Sequence, residues 1–324
     1  YRIELNEPLS ATQSPTPPYW ENLLPRLADL QITELIVEVF LDNRCHYATQ
    51  LIQQHTELRD ITLRSVYETE KLLVTIAALP AIERFHLVHE IRPEYDHLFD
   101  DMIRNTTLTS LDSRVRRVMS LENWQTLESN ARSRYHHFGF FKASVPHDTH
   151  LEFNDNLKSL HIGGNSSKRL TFSVDTLQSL SLQSCQNTSI PWTNTPTRLE
   201  SLRLVACSNL DWTCFFEETV PGLASLSSLS LSLCYVLPDI VSRFMSTNTT
   251  LTKLEVDLKP EPDRSKWLEW TWINTTLTDL NVQFVRALDP TSTEEDDLRV
   301  WLRKVLNQNG TLRSFNHNAR DADL

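Results

Sequence analysis

Apolar residues recur along the chain in one phrase, L-x-x-L-x-L. It reads Ile32, Leu35, Val37; Leu58, Ile61, Leu63; Ile82, Phe85, Leu87; Leu157, Leu160, Ile162; and Leu177, Leu180, Leu182. It continues as Leu199, Leu202, Leu204; Leu226, Leu229, Leu231; Leu251, Leu254, Val256; and Leu277, Leu280, Val282, with shorter copies at Leu108, Leu111 and at Leu312, Phe315. Alternation of side chains along a strand sends the last two anchors of each phrase to one face and the residues between them to the other. Neighbouring parallel strands need a crossover of a dozen or more residues. Each phrase therefore predicts one strand and a return segment, and no unit can bury its apolar face without its neighbours.

The first anchors mostly follow one another at 20–27 residues, but 49 residues separate Leu108 from Leu157. That gap is about two units and predicts one further copy hidden between residues 114 and 156, which makes roughly twelve repeats. Several return segments close on the same words: Asn105-Thr106-Thr107-Leu108, Asn248-Thr249-Thr250-Leu251, Asn274-Thr275-Thr276-Leu277 and Asn309-Gly310-Thr311-Leu312. Helical apolar spacing precedes them, as in Leu98, Phe99, Met102, Ile103; in Val241, Phe244, Met245; and in Val300, Trp301, Val305, Leu306. The Asn then falls where a helix ends, and a left-handed C-cap conformation is expected there. Around residues 157–199 no helical pattern is visible, and extended or short 3₁₀ return paths are expected. The domain reading is a single continuous solenoid over 20–318, an N-terminal extension or linker over 1–19 with Pro8, Pro15, Pro17 and Pro18, and a tail over 319–324.

Composition narrows the chemistry. The net charge is −11, from 31 basic and 42 acidic residues, which opposes a phosphate backbone and argues against nucleic-acid binding. The glycines stand only at 139, 163, 164, 222 and 310, so no phosphate-cradling glycine motif and no G-x-S-x-G exists. No apolar run reaches the ~18 residues of a membrane helix. The five cysteines form no C-x-x-C pair, and an odd number without a signal-like stretch predicts free thiols in a reducing compartment, cytoplasmic or nuclear.

These repeats resemble the leucine-rich repeat family over residues 20–318. The helical units resemble the ribonuclease-inhibitor type. The units with Cys185, Cys207 and Cys234, each eight residues after the first anchor, resemble the cysteine-containing type common in F-box leucine-rich-repeat proteins. The resemblance implies an α/β solenoid, a horseshoe with one parallel strand per repeat and helices or irregular segments on the convex side. It also implies binding of a partner protein on the concave face. With an F-box upstream, it implies a ubiquitin ligase substrate receptor.

Individual chemical signals have plain explanations. Six N-x-[ST] sequons (Asn105, Asn165, Asn187, Asn248, Asn274, Asn309) suggest glycosylation, but four coincide with the phrase that ends each return segment. His86, His89 and Glu90 have the wrong order for a zinc-protease helix and sit in a strand phrase. Glu294, Glu295, Asp296 and Asp297 open a helix, where acidic residues complement its dipole. Trp267, Trp270 and Trp272 read as convex packing, and His136-His137 as surface or gap-filling residues. No nucleophile–base pair or metal cluster emerges, so no catalysis, no cofactor and no metal are expected.

The strand alternation lists a binding face: His86, Asp112, Arg114, His161, Ser181, Gln183, Arg203, Ser230, Glu255 and Asn281. Serine dominates its centre and mixed charge its flanks. The expected function is recognition of another protein by a monomeric, non-catalytic module through this face and its loops. The alternatives are a regulator of a GTPase or other enzyme, with Arg114 or Arg203 as a projecting cation, and a secreted recognition protein or pathogen effector.

Overall fold

The computed structural model describes residues 2–6, 18–38, 45–64, 70–90, 96–105, 107–114, 121–141, 150–152, 156–163, 171–173, 175–184, 196–207, 209–258, 274–285 and 310–320. The chain forms two compact units, Tyr1–Pro146 with Leu151–Leu157, and His147–His150 with Lys158–Leu324.

In the first unit six strands lie side by side in chain order: β1 (Arg2–Asn6), β2 (Glu34–Glu38), β3 (Asp60–Arg64), β4 (Arg84–Glu90), β5 (Ser110–Arg114) and β6 (His137–Phe141). All their pairings are parallel. Between them run α1 (Pro18–Leu27), α2 (Cys45–Gln54), α3 (Glu70–Ala77), α4 (Asp96–Arg104) and α5 (Leu121–Ser133). Strands β7 (His150–Glu152) and β9 (Thr171–Ser173) are short pieces outside this ladder. The second unit holds, again side by side, β8 (Ser159–Gly163), β10 (Ser179–Gln183), β11 (Ser201–Val205), β12 (Ser228–Val236), β13 (Lys253–Leu258), β14 (Asp279–Val285) and β15 (Ser314–Arg320). Its described helices are α6 (Trp212–Cys214), a π turn (Phe215–Thr219), a 3₁₀ turn (Val220–Gly222) and α7 (Pro238–Met245). One parallel strand per repeat with helical or irregular returns is the leucine-rich repeat solenoid architecture.

The anchors account for the core. Leu35, Leu63, Leu111, Leu160, Leu180, Leu202, Leu229, Leu254 and Leu280 are each no more than 2% exposed, and the other anchors of full phrases are equally buried. In the final copy Leu312 is only half-buried. A polar ladder runs along the entry to each strand. One carbonyl accepts two successive backbone N–H groups of the next repeat, as when Arg59 O takes Glu83 N and Arg84 N, both at 2.8 Å. Glu200, Ser227 and Thr252 repeat this. Hydroxyls at the same position thicken it: Ser227, Thr252 and Thr278 each donate to the carbonyl one repeat earlier, at 3.2, 3.1 and 3.0 Å. Buried backbone polar groups are thus satisfied by translation along the array.

Several expectations change. The hidden repeat is Tyr135-x-x-Phe138-x-Phe140, with Tyr135 and Phe138 fully buried and stacked at 5.8 Å. Its first anchor is aromatic, where every other copy has Leu or Ile, and α5 is its predecessor's return helix. At the N-terminus, residues 2–6 are not a linker. They form β1, with Ile3 opposite Leu35 and Leu5 opposite Val37. At the other end, β15 takes in Ala319 and Arg320 of the expected tail. Helices α4 and α7 match the predicted patterns, while the one expected over 300–306 lies outside the described residues. In the short middle repeats the described return element is β9, an extended piece as expected.

The Asn of the recurring phrase does not act through a left-handed backbone. Among the described non-glycine residues, only Ser184, Ala206, Leu233 and Tyr235 have positive φ. The side chain does the work. Asn274 is 5% exposed, donates to Met245 O (3.0 Å) and Asn248 O (2.9 Å), and accepts from Thr276 N (3.1 Å) and Leu277 N (2.9 Å). Asn105 likewise donates to Ala77 O and accepts from Thr107 N. The sequon Thr extends the link: Thr107, Thr276 and Thr311 hydroxyls donate to Ile82, Leu251 and Leu277 carbonyls. Asn309 lies outside the described residues.

Candidate partner-binding face

The residues between the buried anchors share one face of each unit's strands, and register decides which of them meet. In the second unit the pairing runs His161–Ser181–Arg203–Ser230–Glu255–Asn281, each opposite the next across β8, β10, β11, β12, β13 and β14. Six predicted face residues therefore form one continuous row. Parallel to it runs Ser159–Ser179–Ser201–Ser228–Lys253–Asp279. Arg203 is exposed and the remainder of the first row is half-buried. Gln183, on the third row beside Val205 and Gly163, is half-buried too.

At the β13–β14 end the row is tied together. Ser230 Oγ donates to Glu255 Oε2 at 2.8 Å, and Asn281 Nδ2 donates to Glu255 Oε1 at 3.4 Å. Two residues further along each strand stand Asp257 and Gln283, opposite one another and 2% and 7% exposed. Asp257 Oδ2 accepts from the backbone N of Leu233. This bond belongs to an irregularity in β12: Leu231 pairs with Val256 and Val236 with Leu258, so residues 232–235 drop out of the pairing with β13. Leu233 and Tyr235 take positive φ there, at 55° and 52°.

The same irregularity positions Cys234. Cys234 is 2% exposed and its thiol lies within hydrogen-bonding reach of Leu204 O (3.4 Å) and Ser232 O (3.3 Å), while the Cys207 thiol lies likewise near Leu182 O (3.6 Å) and Val205 O (3.4 Å). Each follows a residue with positive φ, Leu233 or Ala206, which turns the chain so that the sulfur points back beneath the strand ends. Ser184, just before Cys185, has the same conformation. Hydrogen bonding with Cys207, then burial, pushes the Cys234 thiol far above its ordinary pKa. These sulfurs are structural caps, because a nucleophile needs its thiolate.

In the first unit β4, β5 and β6 bring together a second cluster. Asp112 Oδ2 lies 3.3 Å from His86 Nε2 and 3.7 Å from His137 Nε2, and the Asp112 side chain is 16% exposed. Gly139 sits opposite Asp112. A Cβ there would land on Asp112 Oδ1 and lie 2.7 Å from its Cγ, so a glycine is required for the carboxylate to lie between the two imidazoles. His86 and Asp112 were listed by alternation from the sequence. His137 and Gly139 were not, because their repeat was hidden, and His137 proves to face the row rather than fill a gap. Flanking pairs continue the pattern at the surface: Arg84–Asp60 at 2.8 Å, Arg59–Glu83 at 3.3 Å and Arg2–Glu34 at 3.3 Å. Exposed pairs of this kind contribute about 0–1 kcal/mol each. Arg114 is on β5 opposite Glu90 across an irregularity in β4, and its side chain lies outside the described residues.

Among the described residues no group of three His, Cys, Asp or Glu side chains is placed to hold a metal. His89 and Glu90 side chains, Trp267, Trp270, Trp272 and the 294–297 acidic run lie outside the described residues. Among the described residues no helix is long and apolar enough to cross a membrane. On the return side of the second unit a cleft of about 390 Å³ is walled by Phe216, Val220, Leu223, Ile240 and Phe244, with Arg243 and Glu217 paired at 2.9 Å on its rim.

No family model matches this chain, and no curated protein matches it in sequence. Among solved structures, one described as the crystal structure of the Rad7 and Elc1 complex in yeast is similar over 85% of this chain and 88% of that one. The identity is 16% and the TM-score 0.49. A likeness of that size carries no inference about function or partner.

Proposed function

We propose that the chain is a non-catalytic protein-recognition module that binds its partner through the strand face of its repeats. The observation that carries this is the row His161–Ser181–Arg203–Ser230–Glu255–Asn281, kept in register across six strands over anchors no more than 2% exposed. A rigid apolar layer fixes the spacing of a wide polar surface, and the small serines let a partner approach the backbone closely. Binding energy on such a surface is spread over many contacts with a few anchors, and Arg203 is the natural first anchor.

The module is monomeric and works inside the cell, in cytoplasm or nucleus. The three cysteines whose side chains are described, Cys207, Cys214 and Cys234, are free thiols, which fits a reducing compartment. The finer reading is a substrate receptor of a ubiquitin ligase. It rests on the resemblance of the cysteine-bearing repeats to those of F-box leucine-rich-repeat proteins, and the ladder role of Cys207 and Cys234 supports it.

The test is the double variant Ser181→Arg, Arg203→Glu, used as bait beside the native chain in quantitative affinity purification. A specific partner enriched by the native chain is lost, while stability changes by about 0.5 kcal/mol or less per site, as for surface substitutions. Retention of every partner by the variant removes the strand face from the function. For the ligase reading, ubiquitylation of the captured partner falls in cells that express the variant.

A further inference from the structure

We infer that the β13–β14 end of the strand face is a receptor for the guanidinium of an arginine presented by the partner protein. This rests on the protein-recognition reading above and adds the chemistry of the contact.

Alternation puts Glu255 and Asp257 of β13 on the same face as Asp279, Asn281 and Gln283 of β14, and the register sets them side by side. Acceptors are in excess there. Glu255 takes one hydrogen bond from Ser230 and one from Asn281. Donating its amide to Glu255 fixes the orientation of Asn281, and its Oδ1 is left buried without a hydrogen-bond partner. Gln283, 7% exposed, has its Oε1 in the same condition. Buried acceptors without donors are unfavourable, and each one in a native structure calls for an explanation. Here the two orphaned oxygens stand on one strand, two residues apart, beside two carboxylates.

The surroundings hold the acceptors in place. Asp257 is pinned by the Leu233 amide of the β12 bulge, and the bulge keeps two non-glycine residues at positive φ. Lys253 is the one cation on β13 and β14; it is exposed and opposite Asp279. Among the described side chains of β12, β13 and β14 there is no arginine. A guanidinium offers five donors in a planar fork and can span two strands about 4.8 Å apart. It is also shed of water more easily than an ammonium, which presents a strongly hydrated point charge. A metal ion is a poor fit, because among the described residues no three ligating side chains converge.

The experiment titrates the native chain with a blocked Gly-Ser-Arg-Ser-Gly peptide, following the side-chain amide resonances of Asn281 and Gln283 by NMR. Matched peptides carry lysine or citrulline in place of arginine. Saturable shifts of both amides are expected with arginine, with affinity at least tenfold weaker for citrulline and weaker for lysine. Glu255→Gln with Asp279→Asn lowers arginine affinity at least tenfold. Ser230→Arg, which supplies a guanidinium beside Glu255 from the chain itself, abolishes peptide binding without lowering the melting temperature, so a misfolded variant is not mistaken for a lost site. Equal binding of the citrulline or lysine peptide, no saturable shift, or unchanged affinity in the Glu255→Gln, Asp279→Asn chain overturns the inference. A captured partner that ignores this pair of substitutions but is lost with Ser181→Arg, Arg203→Glu overturns it while leaving the recognition reading intact.

Discussion

Replacing Asn274 by Ala tests the physical account of the array most directly. Its side chain joins three segments: the end of α7 through Met245 O, the preceding Asn phrase through Asn248 O, and its own turn through Thr276 N and Leu277 N. All four distances lie between 2.9 and 3.1 Å, and the residue is 5% exposed. A hydrogen bond contributes about 0.5–1.5 kcal/mol net, and a buried partner left unsatisfied costs about 1–3 kcal/mol. Some of the abandoned groups are half-buried and can recruit water, so the sum sits near the low end per bond. A loss of about 3 kcal/mol is expected. Asn248→Ala is the internal control. It stands in the same phrase but is half-buried, and its side chain bonds locally, to Thr250 and Leu251. A loss of about 1 kcal/mol is expected there. Urea unfolding followed by far-ultraviolet circular dichroism, with the slope of the transition unchanged, measures both. Equal losses, or a change under about 0.5 kcal/mol for Asn274→Ala, would show that the ladder is not what links the repeats.

Three further outcomes follow from the same contacts. Gly139→Ala forces Asp112 off its two histidines and destabilises by about 1–3 kcal/mol, while adding Asp112→Ser recovers most of it; a neutral Gly139→Ala refutes the close approach. Burial holds His55, 6% exposed, below its ordinary pKa of 6.5, against a smaller opposing effect of the Leu27 backbone. The unfolded chain therefore binds a proton that the folded chain refuses. Its contribution is complete above the unfolded value, and stability falls as pH drops below about 6.5 until the folded value is passed. The slope is reduced in His55→Gln, and an identical pH profile for that variant contradicts the assignment. Thiol titration of the denatured, unreduced chain finds five thiols, and in the native chain Cys207 and Cys234 stay unreactive until unfolding; two disulfides would move the protein to an oxidising compartment.

Much of this molecule is written in local periodicity. The alternation L-x-L says which residues of a strand are buried and which are presented. The ~25-residue recurrence says that strands repeat in parallel, because one apolar phrase cannot hide alone. Those two facts name His86, Asp112, Arg203, Glu255 and Asn281 as face residues. What alternation does not contain is register. Cross-strand neighbours are some 25 residues apart, and their alignment depends on the full path of each return segment. The recurring phrase already aligns Ser181, Arg203, Ser230 and Glu255 as its fifth position, and the register keeps that row. Only the packed sheet sets Asp112 against both His86 and His137 and makes Gly139 necessary. The repeat at Tyr135 and Phe138 escaped the pattern because Tyr stands at the first anchor, where every other copy has Leu or Ile, although burial makes that ring an equivalent anchor. The Asn of the recurring phrase was read by its backbone tendency, yet its side chain found better partners one repeat away. Asp257 and Gln283 carry no local mark of burial either. They are polar residues in face positions, and only the folded chain shows them 2% and 7% exposed, with Asp257 held by the Leu233 amide of the β12 bulge.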